Sequence, residues 1–192
     1  MSHDDAQEDS GELFRHDPAF KTLVQDFPED TIRWLLPEAL ERYGAIRDVT
    51  FLRQEPAKRW LDEHGRALDI PVKVQFENGE LIVVVIEHYH TKEAFNIFKL
   101  GHYTLDTIQA HPELPVVPVA IFADPHKWRY SVQQEIHNEA LDTVWMLFRF
   151  RLEKLKDHRA NEMLDTENRV LHILTPHFDY EKHEKVQLLL KA

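Results

Sequence analysis

Asp69 and Glu87 stand near the two ends of the stretch LDIPVKVQFENGELIVVVIEHYH, residues 68–90, at the beginning and the end of an apolar hairpin pattern. Two carboxylates at the mouth of a buried sheet are costly unless each has a partner. A divalent cation is one such partner: carboxylate oxygens are the hard ligands that Mg²⁺ or Mn²⁺ prefer. The alternative is structural, with the two acids as strand ends, solvated or paired with Arg66 and Lys92. Everything depends on whether the backbone brings the acids together.

The segments 67–76 and 80–90 are rich in Val and Ile, and Asn78-Gly79 between them signals a hairpin. Loop length then sets the register. A two-residue Asn78-Gly79 turn places Asp69 opposite His88 and leaves Glu87 on the other face. A three-residue Glu77-Asn78-Gly79 loop, with glycine in the left-handed position of a bulge, places Asp69 opposite Glu87. Cross-strand Cβ atoms lie about 4.5 to 5.5 Å apart, close enough to share one ion. We expect the longer loop, and with it His88 and His90 turned away from Glu87 by parity.

The flanking elements follow from periodicity. HDPAF opens a helix with Pro18 at its first position and Asp17 as its cap, carrying Phe20, Leu23, Val24 and Phe27. A second helical pattern after Pro28 runs through Ile32, Leu35, Leu36 and Leu40 to Gly44. AIRDVTFLRQEP reads as a strand stopped by Pro56, and Phe95, Phe98, Tyr103, Leu105 and Ile108 mark a helix that ends before Pro112. LPVVPVAIFAD reads as a strand covered on both faces. Ser131 with Gln134 suggests a capping box for a long helix carrying Ile136, Leu141, Val144, Leu147 and Phe148.

Composition bounds the function. The 192 residues suit one compact domain with an appendage. Cysteine is absent, which removes disulfides and thiolate metal sites and fits a cytoplasmic protein. The longest apolar run, Leu81 to Ile86, falls far short of the ~20 residues of a membrane span. The net charge of −11 opposes broad attraction to nucleic acid. Five of those acids, Asp4, Asp5, Glu8, Asp9 and Glu12, sit in a leader without a base, which reads as a disordered tail. RFRLEKLKDHR, residues 149–159, sets five bases against two acids and is the stretch best suited to meet DNA, although a solvated helix face is the commoner meaning of such a run. His88, His90 and His102 lack a zinc spacing such as H-E-x-x-H and read as ordinary polar histidines.

Asp69, Glu87 and the α-β-β-β-α-β order resemble the PD-(D/E)XK nuclease superfamily. HDPAFKTLVQDFP, LDIPVKVQFENGELIVVVIEHYH and ELPVVPVAIFAD resemble, more narrowly, its Rpn-type group of recombination-promoting nucleases and transposases, over residues 16 to 128. The resemblance implies an α/β, restriction-endonuclease-like αβββαβ core, a mixed central sheet flanked by helices, with further C-terminal helices. It divides the chain into an acidic tail (1–14), a nuclease core (15–130) and a helical extension (131–192). It also implies Mg²⁺- or Mn²⁺-dependent cleavage of DNA, with Asp69 and Glu87 binding the ion and Glu55 as an outer ligand. The superfamily's third motif residue is lysine, or glutamine in the Rpn-type group; here it is Tyr89. A phenol of pKa about 10 offers a hydrogen bond but no fixed charge. Lys73, on the strand face of Asp69 but roughly 13 Å along it, is the candidate substitute. A lapsed member that binds nucleic acid or a protein without cleaving is the alternative. TPHFDYEKHEKVQLLLKA reads as a vestige of the further C-terminal helices the family carries, with their accessory or dimerising role missing or altered, and a homodimer is the assembly left open.

Overall fold

The computed structural model describes residues 16–52 and 71–180, with side chains from Ala19 onward. The acidic leader, Glu55, Arg66, Asp69 and the last twelve residues lie outside the described residues, as do the side chains of His16 and Asp17. Strand β3 (Leu81–Tyr89) is the axis of the sheet. Its even-numbered residues Ile82, Val84 and Ile86 enter one hydrophobic cluster, while Val85 and Tyr89 enter another on the opposite face. A strand covered on both sides must be apolar throughout rather than alternating, which is why the sequence there reads as a run.

Around β3 the order is β1 (Ile46–Phe51), β2 (Pro71–Phe76), β3, β4 (Val116–Phe122) and β7 (Arg151–Lys154). β1, β2 and β3 pair antiparallel, whereas β3, β4 and β7 run parallel, so the sheet is mixed. One face carries α1 (His16–Asp26), α2 (Pro28–Leu35), α3 (Pro37–Tyr43), α5 (Ala160–Leu164) and α6 (Arg169–Leu174). The other carries α4 (Ile97–Ala110), through Ile97, Leu100 and Tyr103. Asn96 caps α4 with its side-chain oxygen on the N–H groups of Phe98 and Lys99, satisfying two donors that open any helix.

The β2–β3 register runs from Pro71 opposite Val85 to Gln75 opposite Leu81. This is the pairing of the three-residue loop. Phe76 N–H reaches Glu80 O across it, and Gly79 adopts φ +90° with its N–H on Phe76 O.

Two expectations are corrected. Leu36 and Pro37 divide the second helical pattern, giving three short helices before the sheet. The helix expected from Ser131 is instead a hairpin of β5 (Glu135–Ala140) and β6 (Thr143–Arg149), turned by Leu141 and Asp142 at φ 56° each. Gln134 donates to the Ser131 hydroxyl, a side-chain contact and not a capping box. Val144, Trp145, Leu147 and Phe148 are β-branched or bulky, and strand propensity wins over an apolar spacing that either element could have used. After a single residue, Phe150, the chain re-enters the main sheet as β7.

The C-terminal helices close on the sheet through a clasp. Glu153 on β7 is buried and accepts from the ring of His158, whose carbonyl accepts from Asp179 N–H. The Glu153 hydrogen bond holds the His158 pKa above the ordinary histidine value, against the opposing effect of burial. A group with a raised folded pKa contributes fully below its unfolded pKa, and the contribution fades as pH rises through the folded one.

Two outcomes follow. Gly79→Ala, with no atom within 4 Å of the added Cβ, costs about 1 kcal/mol through backbone strain alone and lowers the urea midpoint accordingly. Thermal melts of the wild type fall by about 2–4 °C relative to His158→Gln between about pH 6 and pH 9; parallel curves refute the clasp.

Candidate functional site

Glu87 lies near the C-terminal end of β3, pairs along the ladder with Ala120 of β4, and is only 5 % exposed. By strand alternation it shares the α4-side face with Val85 and Tyr89. Burial there, in a position a leucine could fill, requires compensation for the desolvated carboxylate. The next side chain on that face, Tyr89, is 6 % exposed and packs its ring against Phe95 and Phe122, both at 5.2 Å between centroids. The third motif position is therefore occupied by an aromatic that belongs to the core beneath α4.

Lys73 sits on β2 between Thr50 and Val83, half-buried. Its cross-strand partner Val83 is on the Glu87 face, but four residues separate the two along β3, roughly 13 Å. Asp69 and Glu55 lie outside the described residues. Among the described residues no three His, Asp or Glu side chains converge in a metal-binding group.

The histidines take the other face. His88 stacks on Phe20 of α1 at 4.3 Å, and His90 meets His88 edge-on at 4.7 Å. With His177 they line a cavity of about 120 Å³ between α1 and α6.

What the sequence did not reveal is the loop after β4. Asp124 is 4 % exposed; its Oδ2 accepts from Lys92 N–H (3.0 Å) and from the Trp128 indole (2.9 Å), and its Oδ1 from His126 N–H (2.9 Å). Burial pushes this carboxyl up, but the hydrogen bonds from His126, Trp128 and Lys92 outweigh it and leave the pKa below the ordinary value. Asp124 thus ties the loop leaving β3 to the loop leaving β4. The signal was present in ADPHKW, where an aspartate bonding the N–H two residues on makes an Asx turn.

The Trp128 ring so fixed packs edge-to-face on Phe122 at 4.8 Å and carries Lys154 Nζ at 4.6 Å and Lys92 Nζ at 5.7 Å. Lys154 is buried on β7 opposite Phe122, which in turn lies opposite Tyr89. Two ammonium groups and an indole therefore border the same end of the sheet as Glu87. The basic segment is largely committed to acids, Lys154 included: Arg149 pairs with Glu135, Arg151 with Glu38 and Lys154 with Asp157. No described helix is long and apolar enough to cross a membrane.

A mixed sheet between two helical layers, with a buried acid near the end of its central strand, is the architecture expected of the PD-(D/E)XK type. The chain belongs to the family described as "Putative transposase, YhgA-like", whose model matches residues 14–190. No curated protein and no solved structure matches the chain.

Asp124→Ala strands the three N–H donors and costs about 3 kcal/mol in chemical denaturation. Because the folded pKa of Asp124 is depressed, the stability it gives is present above its unfolded pKa and lost as pH falls through the folded one. Asp124→Asn accordingly flattens the acid limb of the stability profile, and an unchanged limb refutes the assignment.

Proposed function

We propose that the protein is a DNA endonuclease of the Rpn-type, hydrolysing phosphodiesters with a divalent metal held by Asp69 and Glu87, and Glu55 as an outer ligand. The observation that carries this reading is the buried Glu87 carboxylate at the end of β3, in a hairpin whose register, Pro71 opposite Val85, is the one on which the sequence argument for Asp69 rests. Membership of the transposase-like family supports DNA as the substrate. The donor set suits the ion, since carboxylate oxygens are what Mg²⁺ and Mn²⁺ take.

When bound, the metal supplies charge at the scissile phosphate and acidifies the attacking water. The chain's own contributions are distinct. Glu87 is fixed by its ladder pairing with Ala120 of β4, so its backbone cannot drift with a loop. Asp124 holds the two loops that flank this end of the sheet. Trp128, half-buried with the Lys92 ammonium beside it and the buried Lys154 ammonium over its ring, offers an aromatic edge and one accessible positive charge to a nucleic-acid strand.

A second reading, binding without cleavage, is favoured by Tyr89. Its ring is packed between Phe95 and Phe122, and a phenol supplies no fixed cation.

Plasmid relaxation in Mg²⁺ or Mn²⁺ separates the two. The nuclease reading expects Glu87→Gln and Asp69→Asn each to lower the rate by about 100-fold, the scale of losing one charge-stabilising group. It also expects Tyr89→Gln, the residue common in related members, to raise the rate. Identical rates for wild type and Glu87→Gln, with DNA binding intact in both, establish the non-cleaving reading instead.

A further inference from the structure

We infer that the protein is a two-fold homodimer, assembled through the β5–β6 hairpin and the exposed stripe of α4. This rests on the surface alone and is independent of catalysis. Every residue from His137 to Leu147 is exposed, on both faces of the hairpin. Only its base is fixed: Ile136 and Phe148 pack on α4 at Gly101, where a Cβ would lie 3.7 Å from the Phe148 ring, and Arg149 pairs with Glu135 at 2.8 Å. An isolated two-stranded hairpin is marginal in water and holds its shape only when a further layer covers it.

The arm's chemistry is that of a contact surface. Val144, Trp145, Met146 and Leu147 follow one another on β6, all exposed, Trp145 at 65 %. Leu141 sits at the tip, 89 % exposed, in a left-handed conformation that Asn or Gly adopts at no such cost. A leucine kept there, with about 1 kcal/mol or more of strain, is explained by burial against a partner.

The partner is a second copy because the complementary surface lies beside the arm's own root. Phe98, Leu105 and Ile108 are exposed on α4, on the helical face whose buried Gly101 seats the arm's own Ile136 and Phe148. A two-fold rotation lays each arm on the other protomer's stripe, an isologous exchange. One face of the arm, Trp145 and Leu147 with Leu141 at the tip, and the stripe together expose on the order of 700 Å² of apolar surface at the roughly 150–250 Å² of a large side chain, close to the about 800 Å² per partner of a standard stable interface. Glu139 and Asp142 stand near the tip of the arm. The same acids repel nucleic acid, with Arg149 at the base the arm's sole Lys or Arg.

Light scattering on the full chain decides it. The wild type at micromolar concentration is expected at twice 22.8 kDa, and Trp145→Glu and Leu105→Glu are each expected to weaken the dimer by about 100-fold or more, with circular-dichroism melts showing that the monomers remain folded. The absence of native cysteine allows a second readout: mixed Trp145→Cys and Leu105→Cys chains form a mixed disulfide under mild oxidation, suppressed by a third change, Leu147→Glu. A wild type at 22.8 kDa throughout overturns the inference, whatever else the arm binds. So does a dimer that survives both glutamate substitutions.

Discussion

Burial of β3 on both faces is the constraint on which the rest of the molecule depends. Val83 and Val84 are fully buried, and Ile82, Val85 and Ile86 nearly so. Their side chains point alternately toward the α1–α2–α6 layer and toward α4. Neither layer alone could remove the strand from water, so both must form together. The order of the sheet follows: antiparallel neighbours on one side through a short loop, and parallel neighbours on the other through the crossover helix α4. A carboxylate at the end of such a strand inherits a rigid backbone and a poor dielectric, which is what makes Glu87 more than a surface acid.

The hairpin and the sheet through β4 were legible because their signals are local and redundant. Asn78-Gly79 marked the turn, and the Val/Ile runs marked strands too apolar for any edge. The C-terminal third was not legible in the same way. Leu141, Val144, Leu147 and Phe148 fit a helical spacing as well as a strand, and the decision went to β-propensity and to packing on Gly101, a contact between positions 47 residues apart that no local window contains. Asp124 was missed for a similar reason: its turn is local, but its hydrogen bond to Lys92 spans 32 positions. Lys154, read as part of a solvated basic face, turns inward because β7 joins the sheet.

The same packing defines what is unusual at the candidate site. Where the superfamily pattern places an amine or amide two residues after the glutamate, this chain invests an aromatic ring in the core, stacked on Phe122 and edge-on to Phe95. Positive charge is present at that end of the sheet but comes from Lys92 and Lys154, on the loop after β3 and on the far strand. The candidate site has an aromatic floor on its central strand, with ammonium groups at its margin.

The placement of β7 also has a consequence during synthesis. β4 ends at Phe122, but the strand that covers its open edge begins at Arg151. At typical elongation rates of about 5–20 residues per second, the edge of β4 stays uncovered for on the order of seconds after it emerges. An uncovered, apolar, parallel strand edge is a template for other chains. The nascent sheet is therefore most vulnerable to aggregation while the arm is being made, and a ribosome stalled within β5 or β6 would expose it for longest.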